Sequence, residues 1–172
     1  MRECLIIVDF QNDFVTGSLG FLDANQIEAP ILKKLKHAKA NNIDIIFTLD
    51  THDKNYLETS EGINLPTIHC IKGTFGHEVY GDAKKYLKNA KVFEKTSFGS
   101  LELGNYLKEK SYEKIEISGL VTNMCVISTA IIAKAALEEA EIIIDSNAVK
   151  SFNDDLHTKA LEVLQGMYFK VI

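Results

Sequence analysis

Six short apolar runs, each closing on or beside a polar or charged residue, constrain what this chain can fold into. Residues 4–8 (Cys-Leu-Ile-Ile-Val), 43–49, 91–94, 115–118, 141–144 and 168–172 read as strands. A continuous apolar run of this length is what a strand covered on both faces requires. Between the runs lie segments with helical spacing. Residues 24–40 show it through Ile27, Ile31, Leu32, Leu35 and Ala38, with Pro30 placing the helix start nearby. Residues 101–110, 124–137 and 154–164, the last closed by Gly166, are the others. Strands alternating with helices predict an α/β fold: a parallel sheet, right-handed crossovers and helices on both faces. The 172 residues are expected to form one domain, 1–172.

In such sheets ligands bind beyond the carboxyl ends of the strands. Asp9, Asp50, His52, Lys95 and Cys125 all fall at or just past predicted strand ends. The cysteine follows strand 115–118, a turn marked by Gly119, and the N-cap types Thr122 and Asn123. A thiol in the first turn of a helix faces free N–H groups and the positive end of the macrodipole, and both favour the thiolate. Those N–H groups are also suited to a developing oxyanion. An acid, a lysine and a cysteine brought together make a nucleophilic site. Each has an ordinary reading alone: a loop-capping aspartate, a solvated lysine, a core thiol. Their joint placement on one sheet edge is what argues for chemistry.

Residues 53–90 form one long irregular stretch, and loops of that length are commonly functional. Asp50, His52 and His69 bracket it. Two imidazoles and a carboxylate suit a divalent ion, zinc first, with iron or manganese as alternatives. Glu61, Glu58 or a water is the fourth ligand. His37 and His157 read as surface helix residues and His77 as a loop residue.

A net charge of −5 with intermixed signs disfavours a nucleic-acid platform or an anionic membrane surface. Three cysteines without a CxxC spacing indicate neither a disulfide framework nor a zinc ribbon, which fits a reduced, cytoplasmic setting. The opening apolar run is too short for a signal segment or a membrane span. No GxGxxG or Walker-type loop follows it, so a nucleotide binder is disfavoured.

Five segments together resemble the isochorismatase-like cysteine hydrolases, and within them the nicotinamidase/pyrazinamidase branch. They are Leu5-Ile-Ile-Val-Asp9-Phe-Gln-Asn-Asp-Phe14, Asp50-Thr-His52, His69-Cys-Ile-Lys-Gly-Thr74, Lys95-Thr-Ser-Phe98 and Gly119-Leu-Val-Thr-Asn-Met-Cys125-Val. The resemblance spans nearly the whole chain in the family's motif order. It implies a three-layer αβα sandwich around a six-stranded parallel sheet and an Asp9–Lys95–Cys125 triad. It also implies oxyanion donors at the Val121 and Cys125 N–H groups, a cis peptide at Leu120–Val121, and a metal set of Asp50, His52 and His69. Some members add a glutamate from the intervening loop, and distance from Asp50 prefers Glu61 to Glu58. Phe14 matches a ring-packing aromatic of the substrate site. The chain departs from the branch at residues 65–68 (Leu-Pro-Thr-Ile), where an aromatic, commonly Trp, precedes the metal-binding histidine; this sequence has no Trp.

The activity implied is hydrolysis of a small carboxamide through a cysteine thioester, nicotinamide giving nicotinate and ammonia, with a place in NAD salvage. Family habit adds a homo-oligomer. The alternatives are another carboxamide or carbamoyl substrate, an isochorismate vinyl-ether hydrolase, disfavoured because those members lack the cysteine, and a catalytically silent αβα binding domain.

Overall fold

A computed structural model describes residues 2–172. The elements are β1 (Glu3–Val8), α1 (Asn12–Val15), α2 (Glu28–Ala40), β2 (Asp44–Asp50), α3 (Ser60–Asn64), β3 (Lys91–Lys95), α4 (Leu101–Lys110), β4 (Lys114–Leu120), α5 (Ile127–Ala136), β5 (Glu141–Lys150), α6 (Asp154–Gly166) and β6 (Lys170–Val171). The strands form one sheet in the order β3-β2-β1-β4-β5-β6, every pairing parallel.

Alternation along β1 sorts the core into two layers. Cys4, Ile6 and Val8 pack with Leu103 and Leu107 of α4, Ala130 and Ala133 of α5 and Leu164 of α6. Leu5 and Ile7 pack with Ile31, Leu35 and Ala38 of α2 and with Ala83 of the 3₁₀ helix Gly81–Asn89. The result is the expected three-layer αβα sandwich. Strand order reverses direction at β1, which lies between β2 and β4, and the crevice beyond their carboxyl ends is the usual ligand position in a doubly wound sheet.

Several local expectations are corrected. Gly119 does not make a turn; it lies inside β4 opposite Val8, at φ +123, where a Cβ would overlap the Val8 carbonyl oxygen. Neither Thr122 nor Asn123 caps a helix. Val121 holds that position without a side-chain hydrogen bond, and residues Thr122–Val126 form a π-helical turn leading into α5. β5 does not stop before Asp145 but continues to Lys150 past a register shift, and β6 is only two residues long. Asp145 pairs instead with Lys34 of α2 at 2.5 Å, and Lys34 also reaches Glu116 at 2.6 Å. The 53–90 stretch is less irregular than its composition reads, holding α3 and three 3₁₀ segments. Among the described residues no helix is long and apolar enough to cross a membrane.

Candidate active site

The carboxyl ends of β1, β2, β3 and β4 bring the predicted residues together. Asp9 follows β1 directly, in a left-handed backbone conformation at φ 45, and is fully buried. Its Oδ1 accepts a hydrogen bond from Thr48 Oγ1 at 2.6 Å. Its Oδ2 lies 2.6 Å from Lys95 Nζ. Lys95 ends β3, is 5% exposed, donates to the Ser97 carbonyl at 2.9 Å and reaches Cys125 Sγ at 3.5 Å. Cys125 sits in the π-helical turn, 6% exposed. The Leu120–Val121 peptide that leads into this turn is cis.

Electrostatics here depart from the local helix argument. Burial, then the charge of Asp9, pushes the Cys125 thiol above its ordinary value, and Lys95 only partly offsets them. Burial likewise raises Asp9 despite Lys95, while neighbouring Asp9, Cys125 and Asp50 outweigh burial to keep Lys95 charged. The dipole of one turn is worth about 0.3–1 kcal/mol, less than the cost of burying an anion beside another. The resting state is therefore a thiol beside a carboxylate whose own proton affinity is raised by burial.

Beside the triad lies a second cluster. One ligand atom from each of Asp50, His52, Glu61 and His69 falls within 4.8 Å of the others. Asp50 Oδ2 is 2.9 Å from His52 Nε2 and 3.1 Å from His69 Nε2, and Glu61 Oε1 is 3.8 and 3.7 Å from the same two nitrogens. His69 Nδ1 lies 2.7 Å from the Thr67 carbonyl. A carbonyl only accepts, so Nδ1 carries a proton and Nε2 is the ring atom that faces the cluster, the orientation in which metal-ligating imidazoles are held. Burial and the Asp50 charge both raise Glu61, a crowding that a cation would relieve. The donor set of two imidazoles and two carboxylates fits a zinc-type ion. Glu58 is outside this cluster. Phe14, on α1, is half-buried with its ring edge-on to His69 at 5.6 Å.

Several supporting residues were not picked out in the sequence. Gln11 is fully buried; its Oε1 accepts the Asp50 N–H at 2.8 Å and its Nε2 donates to the Asp50 carbonyl at 2.9 Å. Asp13 Oδ2 accepts the Cys70 N–H at 2.7 Å, tying α1 to the residue after His69. Tyr56 packs its ring on His52 and His69 at 4.6 and 4.9 Å, the aromatic nearest the cluster in a chain without Trp. His77 is more than a loop residue, since its Nε2 pairs with Thr51 Oγ1 at 2.8 Å. His157 is not a free surface residue either; its Nδ1 pairs with Thr122 Oγ1 at 2.8 Å. Thr48 was legible in principle, because it shares a strand face with Asp50 two residues on.

The isochorismatase domain model matches residues 3–172. The chain belongs to the isochorismatase family. A relative from Bacillus subtilis strain 168, named as isochorismatase family protein PncA, is 30% identical, covering 94% of this chain and 93% of the relative. A crystal structure of nicotinamidase/pyrazinamidase PncA from Bacillus subtilis superposes with a TM-score of 0.88 at 31% identity, covering 99% of each chain. The pyrazinamidase of Pyrococcus horikoshii in complex with zinc has a TM-score of 0.88 at 25% identity, covering 100% of this chain and 99% of that one. TM-scores of 0.88 over nearly the whole of both chains mean that the frame holding the two clusters has the same fold as these solved structures.

Proposed function

We propose that this protein is a cysteine-dependent amidohydrolase of the nicotinamidase type, working as one isochorismatase-like domain over residues 1–172. The observation that carries the reading is that Lys95 Nζ reaches both Asp9 Oδ2 and Cys125 Sγ inside a buried crevice. The names of the relatives, nicotinamidase and pyrazinamidase, support the same substrate class.

The geometry supports one catalytic sequence. The substrate carbonyl oxygen points to the N–H groups of Val121 and Cys125. Cys125 Sγ forms a bond to the carbonyl carbon while its proton passes to Asp9, which avoids a free thiolate in a site that disfavours one. Lys95 holds Asp9 in place and offsets charge on the sulfur. The tetrahedral adduct collapses, the C–N bond breaks, and Asp9 returns the proton to the departing nitrogen as ammonia. Asp9 then takes a proton from water as its oxygen bonds to the thioester carbon; the C–S bond breaks, Asp9 returns that proton to the sulfur, and the carboxylic acid leaves with the thiol restored. Nicotinamide would give nicotinate and ammonia. Asp50, His52, Glu61 and His69 would hold a divalent ion, zinc by the donor set, which supplies a Lewis-acidic anchor for the substrate or its water. Phe14 packs against the substrate ring.

A setting in the cytoplasm and assembly into a homo-oligomer accompany this reading. The test is ammonia release across a carboxamide panel that includes nicotinamide and pyrazinamide, with and without chelator. Cys125→Ala should abolish release while the protein stays folded; surviving activity would overturn the mechanism.

A further inference from the structure

The turn that carries Cys125 is tied to side chains that come from neither β4 nor α5. Thr122, its first residue, is completely buried, and its hydroxyl lies 2.8 Å from Nδ1 of His157. One residue on, Asn123 Oδ1 accepts from Ser151 Oγ at 2.6 Å, and that hydroxyl oxygen accepts the Asn153 N–H at 3.3 Å. Asn153 caps α6, taking the Leu156 N–H on its side chain and the His157 N–H on its carbonyl, each at 2.9 Å. The start of α6 is therefore stitched to the turn at two successive residues, and α6 packs on it directly.

His157 is half-buried, and the charged groups acting on it are Lys150 and Asp154. Burial, then Lys150, holds the ring below its ordinary value, so it is neutral at neutral pH. A neutral imidazole and a hydroxyl satisfy each other in either direction. Without the ring, the Thr122 hydroxyl would be a buried polar group lacking this partner, which is unfavourable. Rotation of the turn toward another partner would relieve that cost. It would also swing the peptides of Val121, directly before Thr122, and of Cys125, three residues on in the same turn.

We infer that His157 is a positioning residue for the oxyanion turn: through Thr122 Oγ1 it fixes the direction of the Val121 and Cys125 N–H groups. The inference rests on the amidohydrolase reading. His157 acts through Thr122 rather than on substrate, so its loss should lower turnover and leave substrate affinity in place. The bonding atom is Nδ1, two bonds from Cβ, where an asparagine amide also places a polar atom. A glutamine amide lies one bond farther out.

The experiment uses the full chain and a carboxamide that the wild type hydrolyses. Turnover, KM, melting temperature and the rate of Cys125 alkylation by iodoacetamide at high pH are compared, the last by mass of the Cys125 peptide. His157→Leu and Thr122→Val are each expected to lower kcat about 10- to 100-fold, with KM changed about twofold or less. Their double variant should be no slower than the slower single. His157→Asn should recover most of kcat and His157→Gln should not. Alkylation should keep its wild-type rate, because displacement of iodide builds no oxyanion. Unchanged kcat in His157→Leu, multiplying losses in the double variant, or alkylation falling in step with kcat would overturn the inference. Should the leucine or valine variant fail to fold, the asparagine-against-glutamine comparison decides, and equal kcat in those two overturns it. A wild type inactive on every carboxamide would remove the amidohydrolase reading and this inference together, whereas an active wild type with a fully active His157→Leu removes only the inference.

Discussion

Lys95 Nζ lies 3.8 Å from Asp50 Oδ1 while holding Asp9 at 2.6 Å, so one buried ammonium lies between the Asp9–Cys125 pair and the Asp50–His52–Glu61–His69 cluster. The two halves of the site are electrostatically joined, and the cation between them is the group whose removal disturbs both.

Lys95→Met should therefore do more than stop catalysis. It strands the fully buried Asp9 carboxylate, and breaking a buried pair by removing one partner typically costs about 3–5 kcal/mol. Asp9→Asn combined with Lys95→Met should cost less than the sum of the two single changes, because the orphaned charge is gone. Urea denaturation of the three variants measures the coupling; additive costs would show that the pair is not an energetic unit.

The thiol should titrate late. Because burial and Asp9 raise Cys125 above its ordinary value of 9.0, alkylation by iodoacetamide should be slow at neutral pH and still climbing past pH 9. Asp9→Asn removes the neighbouring negative charge and should bring the alkylation curve to lower pH. A plateau at neutral pH in the wild type would mean that the thiolate is already formed.

Activity should be lost on the acid side at an unusually high pH. Asp9 must be ionised to take the thiol proton, and burial raises it above the ordinary 3.8. The acid limb of kcat/KM therefore falls as pH drops through a value above 3.8, with the protonated form inactive. A rate profile that stays flat down to pH 4 would contradict this.

Metal removal and ligand substitution should rank in order of contact. His52→Ala and His69→Ala should abolish tight zinc binding. Glu61→Gln, whose oxygen stands farther from the ring nitrogens than Asp50 Oδ2 does, should weaken it less. Zinc at about a thousand times its Kd should stabilise the fold by about 4 kcal/mol, readable as a shift in thermal unfolding. Isothermal titration of zinc into the apo-protein checks the order.

Gly119→Ala should be among the most damaging single changes in the chain. It forces a side chain into φ +123 and against the Val8 backbone, and a cost of about 3 kcal/mol or more is expected. Yield of folded protein and the urea midpoint are the measurements.

Much of this was legible in the residues. Asp9, Asp50 and Lys95 each end an apolar run, and a parallel sheet with short crossovers gathers strand ends at one edge, so their convergence needed no coordinates. What the sequence hid falls into two kinds. Gln11 and Asp50, or Thr122 and His157, meet only in three dimensions, 39 and 35 positions apart, and no spacing rule points from one to the other. The other kind is a local rule outweighed by its surroundings. Gly119 carries the mark of a turn, yet its bare Cα is needed for the close pass of β4 over Val8. Cys125 has the placement of a helix-activated thiol, yet dehydration and a nearby carboxylate outweigh the dipole. The polar tail of β5 after Asp145 has no apolar periodicity, and only pairing with β4 past the register shift makes it a strand.

The paired bonds from Gln11 have a consequence for motion. They close both main-chain groups of Asp50, the last residue of β2, much as a neighbouring strand would. A strand terminus normally frays, and its amide proton trades quickly with water. Here that proton can leave only when Gln11 withdraws from its buried seat, so the Asp50 amide should exchange with deuterium as slowly as those at the middle of the sheet.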